Sequence, residues 1–170
     1  MDLNHELSLC TRTATLHPRN YYAWSYRLWL LDNYMTDQQS REKEYNESKA
    51  WVGRNISDHS GVHHLAKVIE RMNGLDPEKH LNWIDDLIIR FPGHEALWCH
   101  RRFCYGFFSQ LQSGHSFVDD VINRQDNSTQ IELALRFGLW LCMLVTVCSD
   151  RVSQCLIYYL GKAAWVQQPR

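Results

Sequence analysis

The sequence lacks an excess of charge of either sign, because 18 lysine and arginine side chains stand against 19 aspartates and glutamates, a formal net charge of −1. It therefore has no global field that recruits nucleic acid or an anionic membrane surface. Long apolar runs are also lacking, since the run from Phe137 to Cys148 falls well short of the roughly 20 residues that cross a bilayer. We expect no nucleic-acid partner, and we expect this run to be a buried helix rather than a membrane anchor.

The usual signatures of catalysis and metal binding are missing as well. The sequence has no glycine-rich phosphate loop, no serine-triad motif and no Cys-x-x-Cys pair. His59 and His63 lie four residues apart and His64 follows, but the glutamate of a metalloprotease helix is absent and spacing fixes no third ligand. We predict no metal site and assign these histidines to the surface or to packing.

Aromatic residues, in contrast, are plentiful, with seven tryptophans, eight tyrosines and six phenylalanines in a 20.2 kDa chain. This composition excludes intrinsic disorder for most of the chain and fits a packed globule or a helical scaffold with an aromatic interface. The polar start, Met-Asp-Leu-Asn-His-Glu, carries no signal peptide. We therefore expect a cytoplasmic protein whose six cysteines are reduced.

One stretch, His17 to Leu31, sets the pattern for the rest. A helix beginning just after Pro18 places apolar residues at offsets of 0, 3, 7, 10 and 14, the spacing of one continuous buried stripe. Proline costs little there, because the first helical N–H groups have no intrahelical partner. The pattern predicts a helix to about Met35 whose buried stripe consists of Tyr21, Trp24, Leu28, Leu31 and Met35.

Weaker copies of this stretch recur at intervals of 38 and 36 residues. Helix pairs at such a period indicate stacked hairpins that each need a neighbour to bury their apolar faces. We predict an all-α fold, an α-solenoid of about three helical hairpins over residues 1–112, followed by a polar, loop-like linker at 113–130 and an apolar helical tail at 131–170. The aligned columns are Asn20, Asp58 and His94; Trp24, Val62 and Trp98; and Arg27, Leu65 and Arg101.

The skeleton Pro-x-Asn-Tyr-x-x-Trp-x-x-Arg, intact from Pro18 to Arg27, resembles the repeat of protein prenyltransferase alpha subunits. The stretch Pro92 to Arg102 resembles it with His94 in place of the asparagine, and Asp58 to Leu65 resembles it with tryptophan and arginine replaced. The resemblance covers about residues 1–112. It is closer to the divergent, repeat-containing members of that family than to the standard farnesyl or Rab alpha subunits. Family members carry five or more repeats, so the chain resembles a shortened form.

This resemblance implies a crescent of hairpins, a prenyltransferase alpha-subunit-like superhelix, that wraps a separate beta subunit. In such enzymes the beta subunit holds the zinc ion, the isoprenoid diphosphate and the acceptor cysteine of a small GTPase or similar protein. The implied function is an alpha-type subunit that assists farnesyl or geranylgeranyl transfer, inactive alone and binding no cofactor itself. The alternative is a non-catalytic helical-repeat scaffold for protein–protein interaction.

Within the motif, two residues are candidates for chemistry. The resemblance implies that a basic residue before the asparagine and a tyrosine after it approach the isoprenoid diphosphate, and here these are Arg19 and Tyr21. A helix start favours an anion, and a cation with a phenol suits a diphosphate leaving group. The alternative is that Arg19 is a solvated charge and Tyr21 the first core aromatic. The structural positions of the motif are Pro18, Asn20, Trp24, Arg27, Asp58, Pro92, Trp98 and Arg101.

Overall fold

The computed structural model describes residues 2–108, 114–124, 127–146 and Tyr159. All regular secondary structure in these segments is α-helical, which confirms the predicted all-α class of helical-hairpin repeats. None of the helices described is long and apolar enough to cross a membrane. The eight helices are α1 (Leu3–Leu16), α2 (Tyr21–Tyr34), α3 (Gln38–Arg54), α4 (His59–Ile69), α5 (Pro77–Arg90), α6 (Glu95–Phe108), α7 (Gly114–Arg124) and α8 (Ser128–Thr146).

The chain divides by its internal packing into two compact units, Met1–Ile84 and Asp85–Arg170, with the division inside α5. The predicted boundaries near residues 112 and 130 follow changes in sequence type, whereas these units follow packing.

The helices of the first unit begin where a short polar side chain can accept hydrogen bonds from free backbone N–H groups. Asp2, Asn20, Asp37 and Asp58 cap α1, α2, α3 and α4 in this way. In this unit α1 packs against α2, α3 against α4, and α2 against α4. The arrangement is therefore two helical hairpins whose second helices are in contact.

The buried face of α2 differs from the predicted stripe. Trp24, Leu31 and Met35 are buried as predicted, but Tyr21 is 66% exposed and Leu28 is only half-buried. Arg27 is buried instead. The reason is that α2 carries large apolar residues on every side, so its neighbours α1 and α4 decide which of them are covered.

In the second unit, the prediction of a loop-like linker at residues 113–130 is wrong for most of that segment. Helix α7 occupies Gly114–Arg124, because Val118 and Val121 are spaced to bury one face while the charged residues remain outside. Helix α8 begins at Ser128 and packs against both α7 and α6. The supposed linker and the start of the tail thus form a further helical hairpin, while residues 147–158 and 160–170 of the predicted tail lie outside the described residues.

Candidate functional site

The motif tryptophan Trp24 is anchored by the capping residue of α4. Its indole Nε1 donates to Asp58 Oδ2 at 3.2 Å, and Trp51 Nε1 donates to the same oxygen at 3.0 Å. The two indole rings pack edge to face with centroids 5.3 Å apart. The other oxygen of Asp58 accepts from the backbone N–H of Ser60, so one buried carboxylate starts α4 and joins it to α2 and α3.

The motif arginine Arg27 joins three helices. It forms a fork with both oxygens of Glu44 on α3, at 2.6 and 2.8 Å, and Nη2 also donates to Glu47 at 2.8 Å. Nη1 donates to Thr11 Oγ1 at 2.7 Å and to the carbonyl of Leu7, both on α1. The guanidinium of Arg27 therefore holds both α1 and α3 against α2, because it donates hydrogen bonds to each of them.

Glu44 is buried, although it lies in a mostly charged stretch of the sequence of α3. It is 2% exposed, and its Oε1 also accepts from His64 on α4, where Nε2 lies 2.7 Å away. Burial by itself raises the pKa of Glu44, but hydrogen bonds from His64 and Arg27 outweigh it and lower the pKa to about 2. Glu44 is an ionised carboxylate at the centre of the first unit.

The second unit repeats the tryptophan anchor with a different acceptor. Trp98 Nε1 donates to Gln130 Oε1 at 3.2 Å, and the backbone N–H of Gly93 donates to the same oxygen at 2.8 Å. The amide nitrogen of Gln130 donates in turn to the carbonyl of Ile88 at 3.0 Å. Gln130 on α8 thus does for Trp98 what Asp58 on α4 does for Trp24.

Arg101 is the second motif arginine, and its surroundings are mostly aromatic. It pairs with Asp85 on α5 at 2.6 Å, the position that corresponds to Thr11 beside Arg27. The rings of Phe117, Tyr105 and Phe137 lie 4.0, 4.6 and 4.7 Å from its guanidinium carbon. Helix α7 therefore contacts this arginine through the ring of Phe117, whereas α3 contacts Arg27 through the carboxylate of Glu44.

The turn before α2 holds the first of the two residues proposed for chemistry. Arg19 is exposed and has φ 63°, the left-handed region that non-glycine residues rarely adopt. The structure shows no ion pair for Arg19 within the segments it describes. Asn20 caps α2 through the backbone N–H of Ala23 at 3.1 Å, while Pro18 is exposed and its counterpart Pro92 half-buried.

Tyr21, the second candidate, lies in the first turn of α2 beside a cavity of about 350 Å³. The cavity lies between α2 and α4 within the first unit. Its lining residues on α2 are Tyr21, Trp24, Ser25 and Leu28, and those on α4 are His59, Ser60, His63 and His64. The three histidines have different surroundings, because His59 and His63 are exposed while His64 is buried on Glu44.

A second face of α2 exposes a row of aromatic side chains at helical spacing. Tyr22 is 82% exposed and Trp29 47% exposed, and Tyr26 between them stacks on Trp29 with ring centroids 5.8 Å apart. Tyr34 extends the row by packing edge to face on Trp29. We call these four residues the α2 aromatic face, an apolar surface of the kind that marks a binding site for another molecule.

These features define the class of protein: an all-α repeat protein in which the tryptophan and arginine of α2 and of α6 are each held by the neighbouring helices. The protein prenyltransferase alpha subunit repeat matches this chain at residues 3–34 and 77–108, which correspond to α1–α2 and α5–α6. The chain therefore carries two copies of the protein prenyltransferase alpha subunit repeat.

Several curated proteins are similar to this chain, and their names repeat the same term. Protein prenyltransferase alpha subunit repeat-containing protein 1 of Danio rerio is 30% identical over 149 residues, 66% of this chain and 35% of that protein. Its Homo sapiens namesake is 27% identical over 171 residues, 75% of this chain and 42% of that protein. The chain thus spans well under half the length of these relatives.

Proposed function

We propose that this chain is an alpha-type subunit of a heterodimeric protein prenyltransferase, which assists transfer of a farnesyl or geranylgeranyl group to a cysteine of an acceptor protein such as a small GTPase. It works with a prenyltransferase beta subunit in the cytoplasm and is inactive alone. Zinc belongs to the beta subunit in this proposal, and the chain itself binds no cofactor. The match of the protein prenyltransferase alpha subunit repeat at residues 3–34 and 77–108 supports the proposal.

One observation carries the proposal, the exposed first turn of α2. A cation without an ion-pair partner in the described structure, Arg19, stands next to the exposed phenols of Tyr21 and Tyr22 at a helix N-terminus. Such groups stabilise the negative charge that develops on a diphosphate leaving group.

The α2 aromatic face supports the partner part of the proposal. Tyr22, Tyr26 and Trp29 combine large apolar rings with hydroxyl or N–H groups, the side chains that are enriched in protein interfaces. We assign the beta subunit to this face, adjacent to the turn that holds Arg19. The beta subunit and the diphosphate would then both bind near the N-terminal end of α2.

Co-expression with a prenyltransferase beta subunit tests the proposal, followed by a measurement of labelled isoprenoid transfer to an acceptor protein. We expect a complex that transfers isoprenoid, and we expect Arg19→Ala and Tyr21→Phe each to lower the transfer rate on the order of 10- to 100-fold, the value of a hydrogen bond to a charged group. Arg12→Ala, an exposed arginine on α1, is the matched control and should leave the rate unchanged.

The possible outcomes separate the two parts of the proposal. A complex that forms and transfers isoprenoid at a rate insensitive to both variants would remove the catalytic role of Arg19 and Tyr21. A complex without transfer would favour the scaffold alternative. Absence of any complex would overturn the proposal for this chain.

A further inference from the structure

Two histidines of α4, His59 and His63, lie one turn apart on the exposed side of the helix. Residues four positions apart in an α-helix point in nearly the same direction, with Cβ atoms about 5–6 Å apart. Gly61, half a turn away from both, lies on the packed side, where a Cβ would be 2.8 Å from Trp51 Cδ1 on α3. Both imidazoles are exposed to solvent, and both line the cavity between α2 and α4. Two imidazole groups that solvent can reach therefore project from the same face of α4.

The first turn of α4 is fixed by the residue that caps it. Asp58 Oδ1 accepts from the backbone N–H of Ser60 at 3.0 Å, and the carbonyl of Asp58 accepts from the backbone N–H of Val62 at 2.9 Å. The spacing of His59 and His63 is thus set by hydrogen bonds of the helix itself. Two ligands that are already in register lose little conformational entropy when both bind one ion.

The charges around this pair of histidines favour a cation. The hydrogen bonds to the side chain of Asp58 come from uncharged donors, the indoles of Trp24 and Trp51 and the backbone N–H of Ser60. The full negative charge of Asp58 exceeds the roughly half positive charge of a helix N-terminus. Among the described residues that line the cavity, none is a lysine or an arginine. A cation at this end of α4 is therefore attracted by Asp58.

We propose that His59 and His63 form a binding site for a divalent transition-metal ion such as Zn²⁺, with one imidazole nitrogen from each residue and water in the remaining positions. Imidazole suits zinc, copper and nickel, whereas Mg²⁺ and Ca²⁺ prefer oxygen ligands. A metalloprotease helix binds zinc through two histidines at this spacing, and its additional glutamate is the general base rather than a ligand. The lack of that glutamate therefore excludes protease chemistry and leaves both ligands in place.

This ion would be separate from the zinc of the beta subunit and would take no part in isoprenoid transfer, so the site goes beyond the prenyltransferase role. Both ligands lie on α4, within the first unit. One ion bound to both histidines joins successive turns of α4, and its binding stabilises the folded chain.

A titration of the full chain with Zn²⁺, with ¹⁵N label in the histidines, tests the site. We expect the imidazole resonances of His59 and His63 to shift with one common midpoint, because a single ion binds both. The resonance of the exposed His5 on α1 should not follow that midpoint. Mg²⁺ at the same concentrations should leave all three resonances unchanged. Different midpoints for His59 and His63, no shift of either with Zn²⁺, or equal shifts with Mg²⁺ would overturn the proposal.

Removing one of the two histidines gives a second test, at an exposed position that the fold does not need. We expect His59→Gln to raise the Zn²⁺ concentration at the His63 midpoint by about tenfold or more, since even the loss of a group that only supports a metal ligand weakens binding by that much. His5→Gln, at an exposed position on α1, is the control and should leave the His63 midpoint unchanged. An unchanged His63 midpoint in His59→Gln would show that the two histidines do not share an ion, and the proposed site would be wrong.

Discussion

At the scale of single residues, the turns before α2 and α6 each contain a residue with a left-handed backbone, and the two repeats use different residues there. Gly93 has φ 86° and Arg19, at the same position of the first repeat, has φ 63°. Glycine adopts this conformation at no steric cost, whereas a residue with a Cβ carries a penalty of about 1–2 kcal/mol. The first repeat therefore keeps an exposed cation at a position where glycine would be more stable.

Replacing Arg19 by glycine tests whether its left-handed backbone lowers the stability of the protein. We expect Arg19→Gly to raise the free energy of unfolding by about 0.5–1 kcal/mol, because relief of the left-handed strain exceeds the extra chain entropy of glycine. Arg19→Ala, which keeps the Cβ, is the control and should give no such gain. Urea unfolding of the three proteins would measure the difference, and equal midpoints for the glycine and alanine variants would contradict it.

At the scale of helices, α7 and α8 complete a hairpin that the sequence pattern does not disclose. Tryptophan and arginine define the repeat in the sequence, and α8 has neither residue at the matching positions. Helix α8 nevertheless keeps the contact with the motif tryptophan, because Gln130 accepts a hydrogen bond from the indole N–H of Trp98. This hydrogen bond joins α8 to α6. A glutamine in a polar stretch gives no periodic signal, so only the fold identifies it.

Gln130→Leu tests whether this contact holds α8 in place. The substitution leaves the indole N–H of Trp98 and the backbone N–H of Gly93 without their acceptor, and we expect a loss of about 2–4 kcal/mol in the free energy of unfolding. Glu132→Ala removes only an exposed ion pair with Arg136 on the same helix and should change stability by less than about 0.5 kcal/mol. A similar small effect for both variants in chemical unfolding would show that Gln130 does not fix α8.

At the scale of the whole molecule, several buried ionisable groups make stability depend on pH in the same direction. Burial lowers the pKa of His64, and burial together with the nearby Lys49 lowers the pKa of His80 to about 3. The pKa of Glu44 is lowered to about 2 despite its burial. In each case the unfolded chain binds a proton more readily than the folded one, so protonation favours unfolding.

We therefore expect stability to be full above about pH 6.5, to fall as the histidines of the unfolded chain become protonated, and to fall further below about pH 4.5 as Glu44 contributes. The expected loss between pH 7 and pH 4 is on the order of a few kcal/mol. Urea midpoints at several pH values would measure it, with His80→Phe reducing the slope and the exposed His5→Gln leaving it unchanged. A midpoint that is constant between pH 7 and pH 4 would contradict this account.

The sequence by itself determined the all-α class and the helix that begins after Pro18, because hydrophobic spacing acts within one or two turns. It also determined the repeat, since the columns of Trp24 and Arg27 recur at a fixed interval. The chemistry proposed for Arg19 and Tyr21 remains a prediction from that resemblance.

Only the tertiary structure decided which charged and polar residues are buried. Glu44 lies among exposed charges in the sequence of α3, and it is covered because Arg27 and His64 converge on it from two other helices. His64 is itself buried by this convergence, whereas Tyr21 remains outside the core. Local spacing cannot specify such contacts, because the residues that form them are 17 to 42 positions apart in the sequence. They meet only when the helices pack together.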